Sequence, residues 1–209
     1  MSLPKFLIDR YKDWKSKSFN QKKLTYKKIE SLKQKPKAMI ISCCDSRVQE
    51  NIIFNANPGD FFIHKNIANL IPPYKLINQN YNTSSAIEYA VKSLRVPHII
   101  ILGHSNCGGI NHAFNISKNN SKDNDNSSLN NWLNSVIENF SSLKHNNKEN
   151  NLSFFEQESI KNSLKNLINY PYIKKLVNKN ELELHALWYE IKSGKIMFLN
   201  QSSGDFENL

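Results

Sequence analysis

PHIIILGHSNCGGI, residues 97–110, carries a short apolar run between a proline and a glycine and ends in a histidine, a cysteine and two more glycines. The run reads as a buried strand that passes through a Gly-containing turn into a new helix. The residues before it, NTSSAIEYAVKSLRV (82–96), place Ile87, Val91 and Leu94 on one helical face, with Thr83 or Ser84 as the candidate N-cap. Further upstream, KPKAMIISC (35–43) opens a strand over 38–43 after a proline. NPGD (57–60) marks a turn, and FFIHKNIAN (61–69) reads as a second strand ending in a polar loop. Strands alternating with helices require crossover connections, so the expected class is α/β with a mainly parallel central sheet flanked by helices.

The flanks are simpler. Residues 3–34 space Phe6, Leu7, Tyr11, Trp14, Leu24, Ile29 and Leu32 among lysines and acids, as two amphipathic helices in search of a partner surface. NISKNNSKDNDNSSLNN (115–131) is polar and of low complexity and is expected to be a surface loop. Helical patterning returns from about 130 to 178, and ELHALWYEI with KIMFLN, around Ser193-Gly194, suggests a terminal strand pair. The 209 residues suit one domain (1–209), with residues 1–36 as an N-terminal helical arm.

The net charge is +10, yet the basic residues are dispersed and accompany no nucleic-acid-binding motif, so no nucleic-acid partner is expected. No apolar run approaches the roughly 20 residues needed to cross a bilayer, and none resembles a secretory signal. A cytoplasmic chain without a membrane partner is the expectation.

Three cysteines, Cys43, Cys44 and Cys107, are too few and too odd in number for a disulfide framework. Two motifs end two of the strands: Cys43-x-Asp45-x-Arg47 and His104-x-x-Cys107. Ligands gather at the carboxyl ends of strands in open α/β sheets, so neighbouring strands would bring both motifs to one crevice. Cys43 and Cys107 offer thiolates and His104 an imidazole. Two sulfurs and one nitrogen form a three-ligand zinc set with one position open, as in catalytic sites. Asp45 or water would take that position. Arg47 favours water, because a guanidinium can hold the carboxylate through paired charge-assisted hydrogen bonds and turn it from the metal. Zinc lowers the pKa of its water from about 15.7 to about 7, and Asp45 would accept a hydrogen bond from the resulting hydroxide. Alone, each cysteine or histidine is an ordinary packing residue. Cys44, pointing the other way along the strand, is read as packing.

CCDSRV and HSNCGG, about sixty residues apart and in this order, resemble the β-class carbonic anhydrases. The likeness covers about 38–114, including NPGDFFIHKNIANLIPPY, and is weaker in the flanking helices and at HALWYEIKSGKIMFL. The resemblance implies reversible hydration of CO2 to bicarbonate. Cys43, His104 and Cys107 would bind Zn2+ as cofactor, with Asp45 and Arg47 as the catalytic dyad. It also implies self-association as a dimer or tetramer, with the N-terminal helices extending onto a partner subunit. Members of that family with a regulatory bicarbonate pocket carry Trp where this chain has Ile40 and Arg where it has Lys65. Some place Gln where it has Asn57. An open, water-bound metal site is therefore expected. Tyr189 stands where regulated members have a Tyr. His112 is the candidate proton relay among the remaining histidines, His64, His98, His145 and His185.

Overall fold

A computed structural model describes residues 2–79, 81–119, 127–143 and 151–209. Its centre is a six-stranded sheet in the order β2-β1-β3-β4-β5-β6. The strands are β1 (Ala38–Cys43), β2 (Phe61–Asn66), β3 (His98–His104), β4 (Glu183–Glu190), β5 (Lys195–Leu199) and β6 (Phe206–Asn208). The pairs β1–β2, β1–β3 and β3–β4 are parallel, and β4–β5 and β5–β6 are antiparallel. The mainly parallel α/β expectation holds, and β1 spans the expected residues. Of β5 and β6, the three-residue β6 has no period to read in the sequence.

Every residue of β1 is buried, as in a strand covered on both faces. Alternation divides its side chains. Met39 and Ile41 join Ile99, Ile101, Ile160, Leu167 and Tyr170 on one face. Ile40 meets Val48 and Leu102 on the other. Cys43 continues the Met39–Ile41 face into a second cluster with Cys107, Ile110, Leu133, Phe140 and Phe155. Cys44 is exposed rather than packed, because the strand has ended and only its N–H is held, by Asn66 O.

The helices are α1 (Lys5–Trp14), α2 (Lys23–Ser31), α3 (Glu50–Ile53), α4 (Tyr81–Glu88), α5 (Gly108–Asn119), α6 (Ser128–Leu143), α7 (Leu152–Ile168) and α8 (Pro171–Val177). Neither Thr83 nor Ser84 is the N-cap of α4, which already begins at Tyr81. Thr83 is buried because its Oγ1 is bonded to His64 Nε2 and Asn66 Nδ2, and Ser84 Oγ donates back to Tyr81 O. The expected loop over 115–131 is also corrected. α5 runs to Asn119 and α6 starts at Ser128, while 120–126 lie outside the described residues. Ile110, Ala113 and Ser117 are buried at helical spacing, and that face carries α5 into a composition that reads as loop.

The N-terminal arm forms its two amphipathic helices, joined by a π-helical turn at Lys15–Phe19. Trp14, Phe19 and Tyr26 pack on one another with ring centroids 5.1–6.2 Å apart. Neither helix has a buried residue, and Phe6, Leu7, Tyr11, Trp14 and Leu24 stand exposed.

Candidate active site

β1 and β3 are adjacent and parallel, with Ser42 opposite Leu102, so their carboxyl ends emerge side by side. Cys43 is the last residue of β1 and His104 the last of β3. After His104 the chain reverses through Asn106, whose φ of 55° is the left-handed conformation that Asn tolerates better than most residues. That turn swings Cys107 back towards His104 at the start of α5. Cys43 Sγ lies 3.9 Å from Cys107 Sγ, and the donor atoms of Cys43, His104 and Cys107 all lie within 4.8 Å of one another. The three residues are 4%, 1% and 1% exposed.

The donor chemistry fits a cation. His104 Nδ1–H donates to Ser105 O at 2.9 Å, which turns the Nε2 lone pair into the cluster. Nε2 is buried there without a hydrogen-bond partner. A neutral ring nitrogen so placed costs free energy unless something takes its lone pair. The Cys107 thiol beside it brings the Cys43 thiol down to about 4, helped by His104 and by the Asp45 and Ala68 backbone. The hydrogen bond to Cys43, then burial and the Cys43 charge, in turn push the Cys107 thiol far up. One negative charge is all that two buried sulfurs at this distance sustain by themselves. A divalent ion among the three donors would let both ionise, with one tetrahedral position left over.

Asp45 and Arg47 stand at the rim. Arg47 Nε donates to Asp45 Oδ1 at 2.9 Å and Nη2 to Oδ2 at 2.7 Å, and the Arg47 N–H adds a third bond to Oδ1 at 2.9 Å. The guanidinium holds the Asp45 carboxyl well below the usual carboxylate range. Nη2 also donates to Asn106 O at 3.1 Å, tying the loop after β1 to the loop after β3. Asp45 Oδ2 is 3.9 Å from His104 Nε2. The carboxylate thus borders the donor cluster while both its oxygens are engaged by arginine.

Sequence reasoning missed Glu156, on α7. It is 2% exposed; its Oε1 accepts the Cys107 N–H at 3.0 Å and its Oε2 accepts Trp188 Nε1–H at 3.1 Å. Burial pushes its carboxyl up. A signal existed: Glu156 shares the buried helical stripe of Ser159, Ile160 and Ser163, where an acid is out of place unless partnered. Ser105 was also overlooked as a clamp. Its Oγ accepts the Ile191 N–H and its N–H donates to Tyr189 O, locking the loop to the end of β4.

The residues compared with regulated relatives behave as follows. Ile40 is fully buried in the apolar core. Lys65 Nζ donates to Glu50 Oε1 at 2.6 Å, Val48 O at 3.0 Å and Ser42 Oγ at 3.3 Å. Those three bonds use all of the ammonium's donors, so none is left over for a bound bicarbonate. Glu50 itself is buried and also accepts the Ser42 hydroxyl. Tyr189 pairs with His104 across the β3–β4 ladder and packs in the Ile40–Leu102 cluster. Asn57 sits in the exposed turn before β2, its N–H donated to Asp60. Gly109 is required by packing, since a Cβ there would lie 2.8 Å from Ile67 Cγ2, whereas one at Gly108 would meet open space. His112 Nε2 is bonded to Asn130 Oδ1 at 2.8 Å, His64 to Thr83, and His98 to His185. His145 lies outside the described residues.

Fold and site together define an α/β protein with a sulfur-rich candidate metal centre at the carboxyl end of a parallel sheet. The family model for carbonic anhydrase matches residues 38–196, and the chain belongs to that family, in its β class. It is 36% identical over 170 residues to the mitochondrial beta carbonic anhydrase 6 of Arabidopsis thaliana, covering 78% of this chain and 57% of that one. It spans 63% of the length of Arabidopsis beta carbonic anhydrase 3, so these plant relatives are considerably longer. The Helicobacter pylori (strain J99) carbonic anhydrase is 30% identical over 200 residues, 93% of this chain and 90% of that one. Among solved structures, the beta-carbonic anhydrase CcaA superposes with a TM-score of 0.87 at 27% identity, covering 97% of this chain and 98% of its own. A tetrameric beta-carbonic anhydrase of the ascomycete Sordaria macrospora gives 0.77 at 30% identity, covering 93% and 95%. Among the described residues no helix is long and apolar enough to cross a membrane.

Proposed function

We propose that this chain is a zinc-dependent carbonate dehydratase that interconverts CO2 and bicarbonate. The observation that carries the reading is the buried, unpartnered His104 Nε2 facing two thiols, 3.9 Å from an arginine-held carboxylate. Cys43, His104 and Cys107 hold the zinc. When bound, the ion supplies Lewis acidity that brings the pKa of water from about 15.7 towards 7. Ser105 O orients the His104 ring. Asp45, kept ionised by Arg47, accepts a hydrogen bond from the attacking water and orients its lone pair towards the carbon of CO2. Arg47 is a positioning residue, because it acts through Asp45. Glu156 fixes the Cys107 backbone and so the distance between the two sulfurs.

The reading treats 1–209 as one catalytic domain working as a homo-oligomer. The uncovered apolar face of α1 and α2 supports self-association, with the arm laid on a partner subunit, and the tetrameric Sordaria proteins are related in fold. Two thiol ligands and three unpaired cysteines suit a reducing cytoplasm. Stopped-flow CO2 hydration beside metal content is the test. Wild type should hydrate CO2 with one zinc at this centre, and Cys43→Ser should lose both that metal and the activity. Hydration that survives Cys43→Ser sinks the assignment.

A further inference from the structure

A second group of donors lies at the other end of the sheet. His98 is the first residue of β3 and Glu183 the first of β4, and the parallel register pairs them directly. His185 lies two residues beyond Glu183, opposite Ile100, so alternation puts all three side chains on one face. His104 closes the same β3 strand six residues later, about 20 Å away at the usual strand rise.

The three donors converge. His185 Nε2 is 3.2 Å from His98 Nδ1, and Glu183 Oε2 is 3.5 Å from His98 Nδ1 and 3.7 Å from His185 Nε2. Zinc bonds to imidazole and carboxylate are about 2.0–2.2 Å, so neighbouring donors on a tetrahedral ion lie roughly 3.3–3.5 Å apart. The observed triangle has nearly those edges already. The side chains are 41%, 68% and 41% exposed, open to an ion from solution.

We infer that His98, Glu183 and His185 form a second divalent transition-metal site, separate from the Cys43–His104–Cys107 centre. Two imidazole nitrogens and one carboxylate oxygen suit Zn2+, Co2+, Ni2+ or Cu2+ rather than Mg2+ or Ca2+, which want more oxygen ligands. His185 Nε2 and His98 Nδ1 stand at hydrogen-bond distance, 3.2 Å, so one N–H proton lies between them. The metal replaces that proton, and Glu183 offsets part of its charge. Lying far from the reacting centre, the ion fastens the start of β3 to the start of β4 and takes no part in CO2 chemistry.

The test is equilibrium dialysis of the full chain against buffered Zn2+ and Co2+, with metal analysis, cobalt absorption and thermal melting. Wild type should bind two equivalents. His185→Ala and His98→Ala should each keep one and weaken the second by about 10- to 100-fold or more, the range set by losing even a ligand's supporting contact. Cys43→Ser should keep the second equivalent, whose cobalt spectrum lacks thiolate charge transfer. The second equivalent should raise the melting temperature of wild type and leave that of His185→Ala unmoved. Saturation of wild type at one equivalent, itself lost in Cys43→Ser, overturns the inference. So does a second equivalent unaffected by either histidine substitution, or one that carries the thiolate band. None of these results bears on the CO2 assignment, which rests on the Cys43→Ser arm.

Discussion

Arg47 holds both carboxylate oxygens of Asp45, through Nε to Oδ1 at 2.9 Å and Nη2 to Oδ2 at 2.7 Å, while Oδ2 stays 3.9 Å from the unpartnered His104 Nε2. The acid that borders the candidate donor cluster is thus restrained by a side chain two residues along the same loop. Arg47→Ala should free Asp45 to turn onto the donor cluster. We expect kcat/KM for CO2 hydration to fall about 100-fold or more, the scale of a misplaced acid–base group, with zinc content unchanged. Arg47→Lys should rescue little, because an ammonium cannot make the paired contact. Wild-type turnover in Arg47→Ala would show that the clamp is dispensable.

Thiol accessibility reports occupancy of the same centre. Cys44 is exposed, whereas Cys43 and Cys107 are buried with their sulfurs 3.9 Å apart. Alkylation of the zinc-loaded protein, read by intact mass, should therefore modify one cysteine. Chelation followed by unfolding should expose all three. Rapid double labelling of the loaded protein would contradict a shared metal on Cys43 and Cys107.

Gly108 and Gly109 look alike in the sequence and differ in space. A Cβ at 109 would sit 2.8 Å from Ile67 Cγ2 and 3.2 Å from Ala68 Cβ, and one at 108 would touch nothing within 4 Å. Gly109→Ala should destabilise by about 1–3 kcal/mol through overpacking. Gly108→Ala should be neutral or slightly stabilising, since alanine is the better helix former. Urea unfolding of the two variants measures the contrast, and equal midpoints would contradict it.

Tyr170 carries an alkaline limit on stability. It is fully buried, its hydroxyl donates to Pro72 O at 3.0 Å, and burial pushes its pKa up to about 12 from 10.0. The folded state therefore keeps the proton that the unfolded chain gives up first. The stabilisation is complete below pH 10 and is lost as the pH rises towards 12. Tyr170→Phe should cost about 1–3 kcal/mol at neutral pH by leaving a buried carbonyl unpaired. The gap between wild type and Tyr170→Phe should narrow across pH 10–12. A gap of constant size would show that the hydroxyl is not protected in the fold.

The legible parts of this molecule are those with a short-range cause. Four apolar residues, 99–102, lying just after Pro97-His98 and closed by Gly103, read as a buried strand, and two such runs leading to Cys43 and His104 place the donors once the sheet is parallel. The spacing of Asp45 and Arg47, two residues apart, made their pairing a matter of local reach. Tertiary packing decided what depends on partners far along the chain. It continued α5 through a polar composition because Ala113 and Ser117 found a buried face. It placed Glu156 under Cys107, forty-nine residues away. It spent all three donors of Lys65 on Glu50, Val48 and Ser42, and it set His98 beside Glu183 and His185 by strand register alone. Local periodicity encodes which segments form and which face is apolar, whereas which polar atom meets which other is settled only when the segments dock, because those contacts have no period along the chain.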